Sequence, residues 1–161
     1  MFLCDVDGVL TDGTVTMGDG KEYKSFSIQD GLGLLLLMRA GIKVGWVSNR
    51  PSPVTQQRAE ELGITYLIQG KDSKVQAIEA LLGKEGFDWT DVCYVGDDVV
   101  DLGALKRAGV SVAVSNAIDE AKQMADYVTR AHGGNGAVRE FVRLLLSAQG
   151  KWKDVIKHFS A

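Results

Sequence analysis

Near its start the chain reads FLCDVDGVLTDG, an apolar strand signal that ends in two aspartates one residue apart, with glycine following at once. Side chains alternate faces along a strand, so Asp5 and Asp7 point the same way where the strand ends, and like charges held there repel. Later apolar runs end in Ser48-Asn49-Arg50 and in Asp97-Asp98, with Lys74 and Asp101 at the start of the helices that follow. Ligands of a doubly wound sheet sit beyond the carboxyl ends of its strands, which places all of these residues around one cleft. Two unit charges 4 Å apart repel by roughly 4 kcal/mol at an effective dielectric near 20, and clustered aspartates meet that cost several times over. A bound cation relieves it. Oxygen ligands without histidine or cysteine nearby favour Mg²⁺ over zinc or copper.

A cation bordered by the Ser48 hydroxyl, the Lys74 ammonium and the backbone N–H groups of Gly8 and Val9 suits a phosphoryl group, whose oxygens need neutralising. One carboxylate of the DxD pair can attack phosphorus and carry it as an acyl phosphate; the other is placed to give a proton to the leaving oxygen and take one from water. Glycine at position 8 lets the backbone come close to the transferring group.

The elements that must hold these groups follow from the hydrophobic pattern. Nearly all-apolar strands (42–48, 64–69, 92–96, 110–114 and a last one at 126–129) alternate with helices. They predict a doubly wound α/β domain, a parallel sheet covered on both faces. Residues 14–27 read as a small β-hairpin insertion turning at Gly18-Asp19-Gly20. Asp30 is expected to cap a helix that ends before Gly41, and Ser52-Pro53 to open the next, which Gly63 closes. Further helices are expected at 72–82, 99–108, 118–124 and 137–148. The tail, 151–161, mixes lysines with Trp152, Val155, Ile156 and Phe159. It reads equally as a helix on its own domain and as an arm to another subunit. Arg139 and Glu140 read as helix surface, and His132 as a solvated loop residue.

The 161 residues, 45% hydrophobic, suffice for one core and a single domain spanning 1–161. A net charge of −3 with interspersed signs argues against a nucleic-acid partner. LGLLLLM at 32–38 is too short to cross a bilayer, and no signal peptide precedes Asp5, so a cytoplasmic enzyme or binding domain is expected. With Met1 only four residues before Asp5, the first strand is short and a natural start further upstream is expected. Cys4 and Cys93 lack metal or redox spacing and read as buried thiols.

Taken together, DVDGVLTDG, the strand-end Ser48, Lys74 and GDDVVD at 96–101 resemble the four motifs of the haloacid dehalogenase superfamily of phosphatases. The resemblance implies that Asp5 is the nucleophile and Asp7 the general acid/base. Ser48 and Lys74 would bind phosphate, and Asp97 would ligate Mg²⁺ with Asp5 and the carbonyl of Asp7. Asp98 and Asp101 would act through water or hold the metal site in shape. The hairpin and the short connection from Lys74 to Asp97 leave no room for a large cap domain. A homo-oligomer, a tetramer, is therefore expected to close the site.

Within the superfamily, the hairpin, SNRPSP, QGKDSK and DYVTRAHGGNGAVRE resemble the 3-deoxy-D-manno-octulosonate 8-phosphate (KDO 8-phosphate) phosphatases of lipopolysaccharide precursor synthesis. The substrate implied is a phosphorylated sugar acid. Those enzymes usually have Thr-Gly-Arg where this chain has Ser48-Asn49-Arg50; Asn49 adds bulk beside the phosphate loop, while Arg50 favours the eight-carbon acid over nine-carbon relatives and is suited to pair with its carboxylate. The alternatives are a phosphatase of nine-carbon ulosonates or of sugar phosphates at large, and a non-catalytic regulatory module. A receiver-type signalling domain is rejected by motif order, since its adjacent acidic pair comes first and here DxD does.

Overall fold

A strand buried at all its positions needs apolar side chains on both faces and a helical layer over each. The computed structural model, which describes residues 1–157 and 159, has this layout. β1 (Phe2–Cys4) is wholly buried. The chain then leaves the sheet for a separate antiparallel hairpin, β2 (Thr16–Gly18) and β3 (Lys21–Tyr23). Its turn has φ of 51° at Asp19 and 69° at Gly20. Positive φ at both central residues is the mark of a tight hairpin turn and the reason for Asp-Gly there.

Re-entry is through β4 (Val44–Ser48), β5 (Tyr66–Gln69), β6 (Cys93–Gly96), β7 (Val110–Ala113) and β8 (Tyr127–Val128). They join β1 in one six-stranded sheet of order β5-β4-β1-β6-β7-β8, parallel throughout. The chain winds outward from β1 to β5, returns to β6 and winds outward the other way. Right-handed crossovers then put α1 (Ile28–Arg39), α2 (Pro53–Leu62) and α6 (Ala137–Ala148) on one face and α3 (Lys74–Glu85), α4 (Leu102–Leu105) and α5 (Asp119–Met124) on the other. The expected doubly wound domain with its hairpin insertion is what the chain forms. Among the described residues no helix is long and apolar enough to cross a membrane.

Several local expectations need correction. The cap of α1 is Ser27, whose Oγ accepts from the Asp30 N–H at 3.2 Å. Asp30 instead faces the neighbouring helix: its carboxylate accepts from the N–H groups of Gly136 (3.1 Å) and Arg139 (2.7 Å), capping the start of α6 across the packing interface. Acidic side chains satisfy such donors wherever the fold delivers them, and sequence distance is no guide to that. The expected helix at 99–108 is a 3-10 turn, Val99–Asp101, followed by the single turn of α4, because Asp98 and Asp101 close a capping box on each other's backbone. α3 starts at Lys74, after Ser73, and runs to Glu85 with Gly86 closing it.

Glu140 is not a surface residue in effect. Its carboxylate accepts from the N–H of Arg130 and of Ala131 and from the Tyr127 hydroxyl, at 2.7 to 3.0 Å, and so pins the loop before α6. Arg139 stacks on Trp152, its guanidinium carbon 5.1 Å from the ring centre, with Arg143 at 5.8 Å. Trp152 opens α7 (Trp152–Lys157), which packs on α1 and α6 of its own domain. Of the tail assigned to 151–161, His158, Ser160 and Ala161 lie outside the described residues.

Replacing Asp30 by alanine strands two partly buried donors at the start of α6. A loss of about 2–3 kcal/mol is expected, read as a lower urea midpoint with an unchanged slope. An unshifted midpoint would show that water replaces the carboxylate.

Candidate active site

The centre of the sheet, where β1 lies between β4 and β6, is the switch point of the winding, and the predicted residues converge there. Asp5 extends the ladder one step past β1, its N–H donating to the carbonyl of Val95 at 3.0 Å. That backbone bond fixes the side chain at the sheet's carboxyl edge. Lys74 comes from the first turn of α3 and is 4% exposed. Its Nζ sits 2.7 Å from Asp5 Oδ1 and 2.7 Å from Asp101 Oδ1, so one buried ammonium bridges two carboxylates.

Asp101 is completely buried, and both its oxygens are taken. Oδ1 accepts from Lys74 and from the Tyr94 hydroxyl at 2.6 Å, and Oδ2 accepts from the N–H of Asp97 (2.9 Å) and of Asp98 (3.3 Å). It is a brace for the loop after β6. Asp98 turns its own carboxylate back, Oδ1 accepting from the Val99 N–H at 2.6 Å, while still lining the cleft.

The charges are not balanced by the protein alone. Burial pushes Asp5 up to about 6, with the Asp101 charge adding to it and Lys74 opposing it. Burial likewise pushes Asp97 up to about 8, reinforced by the charges of Asp5 and Asp101. Burial works to lower the pKa of Lys74, yet Asp101 and Asp5 outweigh it and leave the ammonium firmly protonated. Oxygens of Asp5, Asp97 and Asp101 lie within 4.8 Å of one another. Asp97 Oδ1 and Asp7 Oδ2 are buried with neither a hydrogen bond nor an ion pair among the described residues. Buried anionic oxygens left this way need a cation, and an all-oxygen set fits a hard divalent ion such as Mg²⁺. Since Asp101 is saturated by protein donors, Asp5 and Asp97 are the side chains left to ligate it.

Ser48, Asn49 and Arg50 face this cluster from the end of β4. With Asp5, Asp7, Lys74, Asp98 and Val100 they line an open cleft of about 190 Å³. Ser48 Oγ accepts from the Arg50 N–H at 3.1 Å, a tight local turn that holds the hydroxyl at the edge. The Asn49 amide, expected as bulk beside the phosphate loop, does other work: it donates to the carbonyls of Gly70 (3.2 Å) and Asp72 (2.7 Å), tying β4 to the loop that delivers Lys74. Arg50 is paired, its Nη2 2.6 Å from Glu22 Oε2 on the hairpin. The N–H groups of Gly8 and Val9, expected to face phosphate, are engaged within their own loop by Thr11 Oγ1 (3.3 Å) and the Val6 carbonyl (3.4 Å). Both bonds are at or beyond the long end of the usual range, so they compete weakly with a ligand.

Gly8 has two reasons to be glycine. Its φ is +98°, and a Cβ there would stand 2.0 Å from Asp97 Oδ2. Gly133, in the GGNG run, is pressed on the same loop: a Cβ would fall 1.7 Å from the Gly8 carbonyl oxygen. Its N–H donates to Asn116 Oδ1 at 2.8 Å, and Gly134 N–H to the Val9 carbonyl at 2.8 Å. The GGNG run thus backs the loop that follows Asp5.

Sequence reasoning missed Lys24 and Glu22. Lys24 Nζ lies 2.6 Å from Asp7 Oδ1, with its side chain wholly buried. The signal was present: residues two apart on a strand share a face, and Glu22 and Lys24 alternate with the exposed Lys21 and Tyr23.

A strand-end acidic cleft of this kind, bridged by lysine at the switch point of a doubly wound sheet, is the architecture of a phosphoryl-transfer hydrolase. A family model described as haloacid dehalogenase-like hydrolase matches residues 63–141. The KDO 8-phosphate phosphatase KdsC of Shigella flexneri is 43% identical over 152 residues, covering 94% of this chain and 81% of that protein. A crystal structure of the Moraxella catarrhalis KDO 8-phosphate phosphatase, in complex with magnesium ion, phosphate ion and KDO, superposes with a TM-score of 0.95 at 42% identity, covering 98% of this chain and 91% of that one. The cobalt-bound phosphatase of Haemophilus influenzae gives 0.90 at 42% identity, with 94% and 89% covered. The chain belongs to the haloacid dehalogenase-like hydrolases, in the family of the KDO 8-phosphate phosphatases.

Raised carboxylate pKa values make the cation-free fold pH-sensitive in a defined direction. Asp5 and Asp97 hold protons in the folded chain that they release on unfolding, so their contribution to stability is complete below about pH 4 and is lost as pH rises through about 6 and about 8. In EDTA the melting temperature is expected to fall between pH 5.5 and 8.5, and the gain on adding Mg²⁺ to grow over that range. Asp97→Asn should flatten the slope; an equal slope in the variant would remove Asp97 as its source.

Proposed function

We propose that this chain is a Mg²⁺-dependent phosphatase that releases phosphate from KDO 8-phosphate, through a phosphorylated Asp5. The observation that carries the reading is the Lys74 ammonium locked between Asp5 and Asp101 beside the buried, unpartnered Oδ2 of Asp7 and Oδ1 of Asp97. It is supported by a 98% overlay on a structure holding magnesium, phosphate and KDO.

In this reading Asp5 supplies the oxygen that attacks phosphorus, and the bond from phosphorus to the sugar oxygen breaks. Asp7 gives that oxygen a proton. Water then attacks phosphorus, Asp7 takes its proton, and the bond to Asp5 breaks to leave free phosphate and the original carboxylate. Lys74, Ser48 and the loop at Gly8 and Val9 hold the phosphoryl oxygens; Asn49 fixes the loop that carries Lys74. Mg²⁺, held by Asp5, the Asp7 carbonyl and Asp97, supplies charge neutralisation at those oxygens. Asp98 and Asp101 support the site. Arg50 and Glu22 stand at the mouth, where a sugar acid's carboxylate would meet the guanidinium.

The reading extends to a single domain over 1–161, a cytoplasmic location, a role in lipopolysaccharide precursor synthesis and a homotetramer. Self-association is favoured by apolar side chains displayed on and beside the hairpin: Met17, Tyr23 and Ile28 are 69%, 51% and 75% exposed. A second copy is the natural cover for such exposed apolar side chains.

Phosphate release should be selective for KDO 8-phosphate over nine-carbon ulosonate and hexose phosphates, and should stop in EDTA. Asp5→Asn should lower kcat by about 10³-fold or more. Equal rates across the panel would keep the chemistry and reject the substrate; no turnover of any would favour a regulatory module.

A further inference from the structure

We propose that Lys24 is a positioning residue for Asp7, which makes the hairpin part of the catalytic apparatus as well as a surface. This rests on the reading above, in which Asp7 shuttles the proton. Lys24 follows directly on β3, and its side chain is removed from solvent completely. An ammonium so buried costs several kcal/mol unless it is well paired. Its partners are Asp7 Oδ1 at 2.6 Å and Thr55 Oγ1, to which it donates at 3.1 Å. Thr55 is itself fully buried in the first turn of α2, its N–H donating to Ser52 Oγ at 3.1 Å.

A second tie keeps the lysine in register. Glu22, on the same face of the hairpin, holds Arg50 through Oε2 and Ser52 through Oε1. Two anchors on the segment after β4 therefore fix the strand that carries Lys24, and the hairpin cannot slide without breaking both. Neither oxygen of Asp7 accepts an aligned hydrogen bond from the described residues. The ion contact with Lys24 is what orients this carboxylate: it holds Oδ1 and leaves Oδ2 without a protein partner, as the atom available for proton transfer. Lys24 keeps its own protons throughout. The proton passes from Asp7 to the sugar oxygen as the ester P–O bond breaks, and from water to Asp7 as the second P–O bond to Asp5 breaks.

Orientation of an acid/base predicts a pattern that a folding defect does not produce. With Mg²⁺ present, Lys24→Met should lower kcat on KDO 8-phosphate by about 100-fold with KM changed less than about threefold. Lys24→Arg should recover part of the loss. On p-nitrophenyl phosphate, whose leaving group departs without a proton, Lys24→Met should keep a rapid burst of nitrophenolate and then turn over slowly, because hydrolysis of phosphorylated Asp5 still needs the base. Lys24→Gln, which keeps a donor for Thr55, should behave like Lys24→Met and replaces it if the methionine variant does not fold. Asp7→Asn is run alongside. If it retains full kcat on KDO 8-phosphate, the proton-shuttle reading itself fails. If Asp7→Asn is impaired and the Lys24 variants are not, or if they lose burst and turnover equally or raise KM instead, the positioning role is overturned while that reading stands.

Discussion

Concentrating negative charge at the carboxyl edge of a buried sheet is the constraint from which the rest of this structure follows. Asp5, Asp97 and Asp101 gather where burial makes each carboxylate costly, and a single ammonium cannot neutralise three. Lys74 is therefore shared between two of them at equal distance, and Asp101 is further quieted by a tyrosine hydroxyl and two backbone N–H groups. What remains is charge on Asp5 and Asp97, the pair whose protonation burial favours. Leaving that charge only partly compensated is destabilising for an apo fold and useful for a site that must accept a cation and a phosphoryl group. The cost is met by the core: β1, β4 and β6 are buried at every position and hold the edge rigid.

Rigidity has to reach the loop after β1, which has no strand partner of its own. Close backbone contact supplies it. Asp97 sits over Gly8, and Gly133 and Gly134 press against Gly8, Val9 and Thr11 from the far side, so the loop is confined between two others. The GGNG run is in turn fixed by Asn116 and by Asp30 at the head of α6, while Glu140 pins the segment before it. Polar side chains that look like surface residues along the sequence thus form a chain of braces from α1 and α6 to the loop that follows Asp5. Each link satisfies a backbone donor that would otherwise be orphaned.

The sheet, its switch point and the strand-end residues were legible in the sequence because they depend on local pattern: apolar runs, period, and which residue follows a strand. The hairpin turn at Asp19-Gly20 was legible for the same reason. What local pattern does not carry is partner choice across long separations. Asp30 reads as a cap and caps a helix more than a hundred residues away; Asn49 reads as an intrusion and is a tie; Glu140 reads as exposed and holds a loop. The 3-10 turn at Val99–Asp101 reads as regular helix in the sequence because its cause, the mutual capping of Asp98 and Asp101, is a pairing of side chains with backbone that apolar periodicity does not display. Lys24 does not stand out in the sequence, since a lysine on a short polar hairpin is ordinarily solvated; the hairpin's contacts with Asp7 and Thr55 bury it.

The hairpin also bears on how a sugar acid is chosen. The guanidinium of Arg50 presents several donors in a fixed fork, and Glu22 occupies one nitrogen of it. The Arg50 side chain remains 43% exposed, where ion pairs contribute little to stability. A weak internal pair at the mouth of a charged cleft is easily shared with, or exchanged for, an incoming carboxylate. In the reading proposed above, Glu22 sets a threshold: a ligand with no carboxylate gains nothing from Arg50, and one whose carboxylate falls short of it meets the negative charge of Glu22 instead. On that proposal, selectivity depends on the hairpin strand that also carries Lys24, which couples recognition of the acid group to the placement of Asp7 through two residues on one face.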